Sequence, residues 1–287
     1  AIAWLGGEIQ PWVGALGVAA AAWGLSEYFT KVRRMAFPSI LLLLAFVGGL
    51  FAAVASGLIG DDNQYGPGDE ATVATFISIA GVVAAIGAFL HWRRFRVPIT
   101  IAAGAAAVVA TLIGLMAVAT DGEIEPFLHP LLLISGLGVF ALAMRWDISD
   151  PVRETRRSDV AFWLHLLAAP MIVHPIFAEI GVLEGTLSMG GAVLVIGLFV
   201  VMAVIALAID RRALMVSSLV YVLWALKGLF DQVGAVETNI ALAALVIGSA
   251  LRLLSAFWHN ARGLVVKPLP EAITNRLPVI GKETATA

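Results

Sequence analysis

Residues 33–64 read RRMAFPSILLLLAFVGGLFAAVASGLIGDDNQ. Two arginines open the stretch, two aspartates close it, and no charged residue stands between Arg34 and Asp61. A helix crossing a bilayer needs about 20 apolar residues, and this one has cationic residues at one end and anionic residues at the other. The reading is therefore a membrane span with a defined direction.

The composition extends that reading to the chain. Of its 287 residues 60 % are hydrophobic and 13 % charged, and the mean hydropathy is +0.95. One aqueous domain cannot hide that much apolar surface, so lipid is the expected solvent. The net charge of −2 gives no pull toward nucleic acid. Cysteine is absent, which excludes disulfides, thiolate metal sites and iron–sulfur clusters and leaves His and carboxylate as the strong metal ligands. The opening AIAWLGG carries no basic leader and does not read as a retained signal peptide.

Applied along the chain, the same template predicts an all-α integral membrane protein of nine spans, at 9–30, 38–60, 70–91, 97–119, 126–145, 159–180, 186–209, 212–231 and 237–258. Residues 1–258 form one expected transmembrane bundle and 259–287 a tail. In that frame 17 of the 18 Lys and Arg fall on one side, the exception being Lys227. By the positive-inside rule that side is cytoplasmic, which puts the N-terminus outside and the C-terminus in the cytoplasm. The opposite loops carry Asp61, Asp62, Asp69, Glu70, Asp121, Glu123 and Glu125 without a basic residue.

Arginine pairs precede each outward-running span, at 33, 93, 156 and 211. Four tandem hairpins plus a closing helix would give that pattern, and so would topology signalling alone. Gly48, Gly49 and Gly57, the run AAGAAAVVA from 102, and Gly190, Gly191 and Gly197 offer small faces for close helix contact in lipid.

The sixth span is distinctive. Pro170 and Pro175 free the carbonyls of Leu166 and Met171, so this helix is expected to bend or break. His165 and His174 are nine residues apart and point to nearly opposite faces of a regular helix, so they cannot jointly hold one small ion. His174 instead matches His129 in depth, and facing imidazoles there could bind haem b or a divalent metal. The other reading of both is a neutral, hydrogen-bonded histidine. His91 and His259 read as interface residues beside Trp92 and Trp258. Lys227 stands one turn before Asp231 and either pairs with it or clamps a substrate carboxylate. Glu27 is expected to meet Arg33 and Arg34. The loop DDNQYGPGDE at 61–70 begins like a calcium loop but has Thr72 where a bidentate Glu is needed. In the tail, Arg262, Lys267 and Arg276 are expected to anchor short interfacial helices on anionic lipid.

The chain contains no HExxH, no GxSxG and no Walker loop. Residues 159–177, DVAFWLHLLAAPMIVHPIF, and 253–278, LLSAFWHNARGLVVKPLPEAITNRLP, resemble uncharacterised multi-pass inner-membrane proteins of proteobacteria, over about the last half of the chain. That resemblance implies a bacterial inner membrane and carries no catalytic motif. The expectation is a non-enzymatic polytopic protein, an accessory or scaffold component of a larger membrane assembly, with lipids and membrane proteins as its partners. The alternatives are a small-solute or ion transporter or channel built on a proline-broken sixth helix, and a haem-binding redox protein using His129 and His174.

Overall fold

The computed structural model describes residues 10–60, 65–66, 68–181, 189–212, 256–274 and 277, with isolated positions between 215 and 252. Within those residues the protein is all-α. Its helices are α1 (Pro11–Ser26, continued by a π-helical turn Glu27–Val32), α2 (Ala36–Ile59), α3 (Glu70–Phe95), α4 (Ile99–Ala119), α5 (Glu125–Ile148), α6 (Arg156–Glu179), α7 (Met189–Ile209), α8 (Trp258–Val266) and the single turn α9 (Glu271–Thr274).

Five of these, α2 to α6, are long and apolar enough to cross a membrane, and α7 contributes a shorter apolar stretch, Val193–Ile209. The first expected span forms a 16-residue α-helix before its π turn. The eighth and ninth expected spans lie outside the described residues apart from isolated positions. Large apolar side chains face outward all along these helices, among them Phe89, Ile86, Leu115 and Ile134. Water would oppose that arrangement and lipid tails favour it.

The chain divides into two compact units, 1–132 and 133–287. In the first, α1 packs on α2, α2 on α3 and α3 on α4. The α3–α4 seam is built from glycines set against backbone. A Cβ on Gly81 would meet Thr111 and come within 3.2 Å of the Ala107 carbonyl oxygen, and one on Gly114 would meet Ser78 and come within 3.0 Å of the Ala74 carbonyl oxygen. Gly49 does the same for α1, with Ala15 and Ala19 at 3.0–3.2 Å. Such approaches gain dispersion contacts where lipid supplies no hydrophobic drive between helices.

In the second unit α6 is the central element. Of its most apolar stretch 61 % is buried within the protein, against 17 to 33 % for the other four spans. Gly136 of α5 meets Met171 and Ile172 of α6, while Val173 and Phe177 pack with Val195 and Met202 of α7. A second cluster joins Ala169 to Ala206, Leu207, Ile209, Met215, Trp258, Val266 and Leu277. Val266 and Leu277 belong to the expected tail, so part of that tail is core of this unit and not a layer resting on lipid.

α6 runs without interruption through Pro170 and Pro175, so the expected break does not occur. Each proline removes one hydrogen bond, but packing on several sides holds the helix together around them. α5 is likewise continuous through Pro130.

The turns at the arginine-rich ends explain why the repeat signal is loose. Each contains a residue in the left-handed region, namely Arg34, Arg96, Arg153 or Asp210. The arginine pairs take different places around those turns: Arg33 follows the π turn, Arg93 and Arg94 end α3, Arg156 and Arg157 begin α6, and Arg211 and Arg212 follow α7. A topology signal needs only the correct side of the membrane, not a fixed register.

Candidate functional site

Asp147 stands one residue before the end of α5, where the negative end of the helix dipole disfavours a carboxylate. It is 2 % exposed and holds two partners. His165, 0 % exposed and nine residues into α6, donates from Nε2 to Asp147 Oδ2 at 2.9 Å. Arg211, just beyond α7, donates from Nη2 to Oδ1 and from Nε to Oδ2, the latter at 3.2 Å. The same Nη2 reaches the Ser158 carbonyl at 3.1 Å. One carboxylate thus joins the ends of α5 and α7 to the first half of α6.

The His165 ring is wedged edge-on against Phe140, 5.2 Å between centroids. Because Asp147 only accepts, Nε2 carries the proton, and in the neutral ring Nδ1 is a lone pair. Nδ1 is buried without a hydrogen-bond partner. An imidazole oriented by a carboxylate through one nitrogen offers the other as a base or ligand.

A second cluster adjoins the first. Arg153 donates to Asp210 Oδ2 at 2.7 Å, to the Asp210 carbonyl at 3.3 Å and to the Ile209 carbonyl at 3.0 Å, covering the open C-terminus of α7. Its left-handed backbone, φ 58°, aims it there. Trp258 Nε1 donates to Asp210 Oδ1 at 2.6 Å, and the Arg212 guanidinium lies 4.8 Å from the Trp258 ring centroid. Burial lowers the pKa of Arg153, and the neighbouring charges of Arg211 and Arg262 add to that, opposed by Asp210 and Asp147. Arg262 is lowered as well, by burial, with Asp210 opposing.

The connecting loop is fixed by Asp150. Its Oδ2 accepts from the amide and hydroxyl of Thr155 at 2.9 and 2.7 Å, and Oδ1 from the Glu154 amide at 3.3 Å. Thr155 in turn caps α6 by accepting from the Arg157 amide.

Of the site residues singled out from sequence, the structure brings His165 onto Asp147 and Arg262 into the neighbourhood of Asp210. His174 is half-buried on α6, where Pro175 is buried and Pro170 exposed. His129 belongs to the first unit and His174 to the second, each half-buried in its own. Lys227, Asp231 and Arg276 lie outside the described residues. Among the described residues no three His, Cys, Asp or Glu gather as a metal-binding group.

Three expectations are corrected. Arg262 is 1 % exposed and not spread on a lipid surface, because α8 turns it inward with Trp258 and Val266; Lys267 is exposed. His91 is 0 % exposed and not interfacial, enclosed by Trp23, Phe46 and Phe95, with Nδ1 3.4 Å from the Thr100 hydroxyl. Glu27 takes a bidentate bond from Arg94 at 2.8 and 2.9 Å, not from Arg33, whose Nε donates to the Tyr28 hydroxyl.

Asp147, Asp210, Arg153 and Ser158 were not singled out as site residues. The available signal was that Asp147 and Asp210 are carboxylates on the arginine-rich side, each bordering an apolar run, where they call for cationic partners. Comparison with family models, curated proteins and solved structures finds no match to the chain.

Proposed function

We propose that this is a non-enzymatic multi-pass protein of the bacterial inner membrane that serves as an accessory or scaffold component of a larger membrane assembly. The observation that carries the reading is where the ionisable groups sit. In the described spanning helices every Asp, Glu, Lys and Arg lies within the terminal turns, and at the α5, α6 and α7 ends the buried ones bond one another. A carrier that couples transport to an ion commonly keeps such groups near the bilayer midplane beside a helix break. Here α6 is unbroken, and the charges fasten helix ends into one shape. A fixed end bordered by exposed Arg145, Arg156, Arg157 and Arg212 suits docking to a partner better than alternating access. The resemblance of residues 159–177 and 253–278 to proteobacterial inner-membrane proteins supports the location.

Gentle-detergent purification followed by native mass spectrometry tests this reading. Co-purifying membrane proteins at fixed stoichiometry are expected. A lone monomer under conditions that preserve known complexes of the same membrane would refute it.

One observation favours a second reading. The buried lone pair of His165 Nδ1, on the helix at the centre of the second unit, is suited to accept a proton in a transport cycle. Ion flux into proteoliposomes that His165→Ala abolishes, with folded yield retained, would replace the scaffold with a transporter.

A further inference from the structure

The first unit gathers cations at one end with little to neutralise them. The π turn, the link to α2 and the close of α3 place Lys31, Arg33, Arg34, Arg93, Arg94 and Arg96 there, all exposed. Beside them, among the described residues of the unit, stands one carboxylate, Glu27. Glu27 is taken up by Arg94 at 2.8 and 2.9 Å, with Lys31 at 3.9 Å. The next carboxylates along the chain, Asp61, Asp62, Asp69 and Glu70, lie between the far end of α2 and the first residue of α3. The cations at this end therefore outnumber the anions and set up a positive field.

Three of the arginines rest on aromatic rings. The guanidinium carbon of Arg33 lies 5.5 Å from the Tyr28 ring centroid, that of Arg93 5.8 Å from Phe89 and that of Arg96 5.8 Å from Trp92. Tyr28 and Phe89 are exposed, and so are Val32, Met35 and Phe37 nearby in the chain. Cationic and apolar surface side by side match an amphiphile, whose phosphate and acyl chains part at the depth where an apolar helix ends. Free phosphate would engage only the arginines. Arg34 and Arg96 also hold left-handed backbone, φ 54° and 58°. That conformation costs an L side chain free energy that glycine is spared, so arginine is the less stable choice at both turns unless its guanidinium gains something in return.

We propose that this end of the first unit is a docking surface for anionic phospholipids, with headgroup phosphates on the guanidinium groups of Arg34, Arg93 and Arg96 and acyl chains along exposed Phe37 and Phe89. The surface stands independently of the assembly reading and requires only that the chain lie in a bilayer.

The test melts the full chain in nanodiscs of phosphatidylcholine alone and of phosphatidylcholine mixed with phosphatidylglycerol. Wild type is compared with the double variant Arg34→Gly, Arg96→Gly and with Arg93→Gln. In phosphatidylcholine the glycine variant is expected to melt at or above wild type, because the left-handed turns are relieved. Phosphatidylglycerol is expected to raise wild type by about 3 °C or more, the glycine variant by less than half as much and Arg93→Gln by an intermediate amount, so that wild type becomes the more stable protein. No gain from phosphatidylglycerol, or the same gain in wild type and both variants, overturns the proposal. So does an equal gain from inorganic phosphate added to phosphatidylcholine nanodiscs, which would make the ligand a solute. If the glycine variant does not fold, Arg93→Gln decides the matter, because it leaves both left-handed turns and the Glu27–Arg94 pair unchanged.

Discussion

Arg211 grips Asp147 with two nitrogens across 64 residues of chain, and both side chains are far more buried than those of the Glu27–Arg94 and Arg153–Asp210 pairs. Both side chains are buried, so each depends on the other for a counter-charge. Removing one partner strands the other in a medium of low polarity, at a cost of about 3–5 kcal/mol. Asp147→Ala is therefore expected to lower the melting temperature sharply and to cut folded yield. Replacing both partners, as Asp147→Leu with Arg211→Met, is expected to recover most of the loss, because nothing charged is left unpaired. Equal losses in the single and double variants, measured by melting in detergent, would show that the pair carries no such dependence.

His165 contributes less than Arg211 to the same carboxylate. Its loss leaves Asp147 neutralised and removes one hydrogen bond together with the Phe140 contact. His165→Ala is expected to cost about 1–3 kcal/mol, less than Asp147→Ala. A larger loss than that variant would assign the structural role to the imidazole.

The glycine seams separate packing from propensity. Gly81→Ala and Gly114→Ala push a methyl into opposing backbone across α3–α4 and are expected to destabilise by about 1–3 kcal/mol. Gly48→Ala and Gly138→Ala meet open space and are expected to be neutral or to stabilise by up to about 1 kcal/mol through helix propensity. Melting all four variants in one detergent checks the contrast.

Asp150 gives the loop before α6 a defined acid response. Burial alone would raise its carboxyl, but the Thr155 hydroxyl and amide and the Glu154 amide outweigh it and hold it below the usual carboxylate range. A group lowered on folding stabilises the native state above its unfolded value, about 3.9, and loses that effect as pH falls through the folded value. Asp150→Asn is therefore expected to melt below wild type at pH 7, and the gap to close as the pH drops below about 4. A gap that is constant down to pH 3 would mean that the charge contributes nothing.

The five long apolar helices α2 to α6 were legible because length and hydropathy are properties of the sequence itself. Asp147 and Arg211 were not, because their pairing depends on where α5 and α7 end relative to α6, and helix ends are the least certain part of a sequence reading. His91 and Arg262 were misplaced for a related reason. A polar residue beside Trp at a helix end reads as interfacial, and only tertiary packing turns it inward. The continuity of α6 through Pro170 and Pro175 rests on neighbours that local rules for proline do not include.

The central claim is that lipid surrounds these helices and that their arginine-rich ends share one compartment. The chain has no cysteine, so single cysteines at exposed Glu123, between α4 and α5, and exposed Arg157, at the start of α6, can be labelled with a membrane-impermeant maleimide. The account predicts that Glu123→Cys reacts in right-side-out vesicles and Arg157→Cys only in inverted ones. Labelling of both from the same side would contradict it.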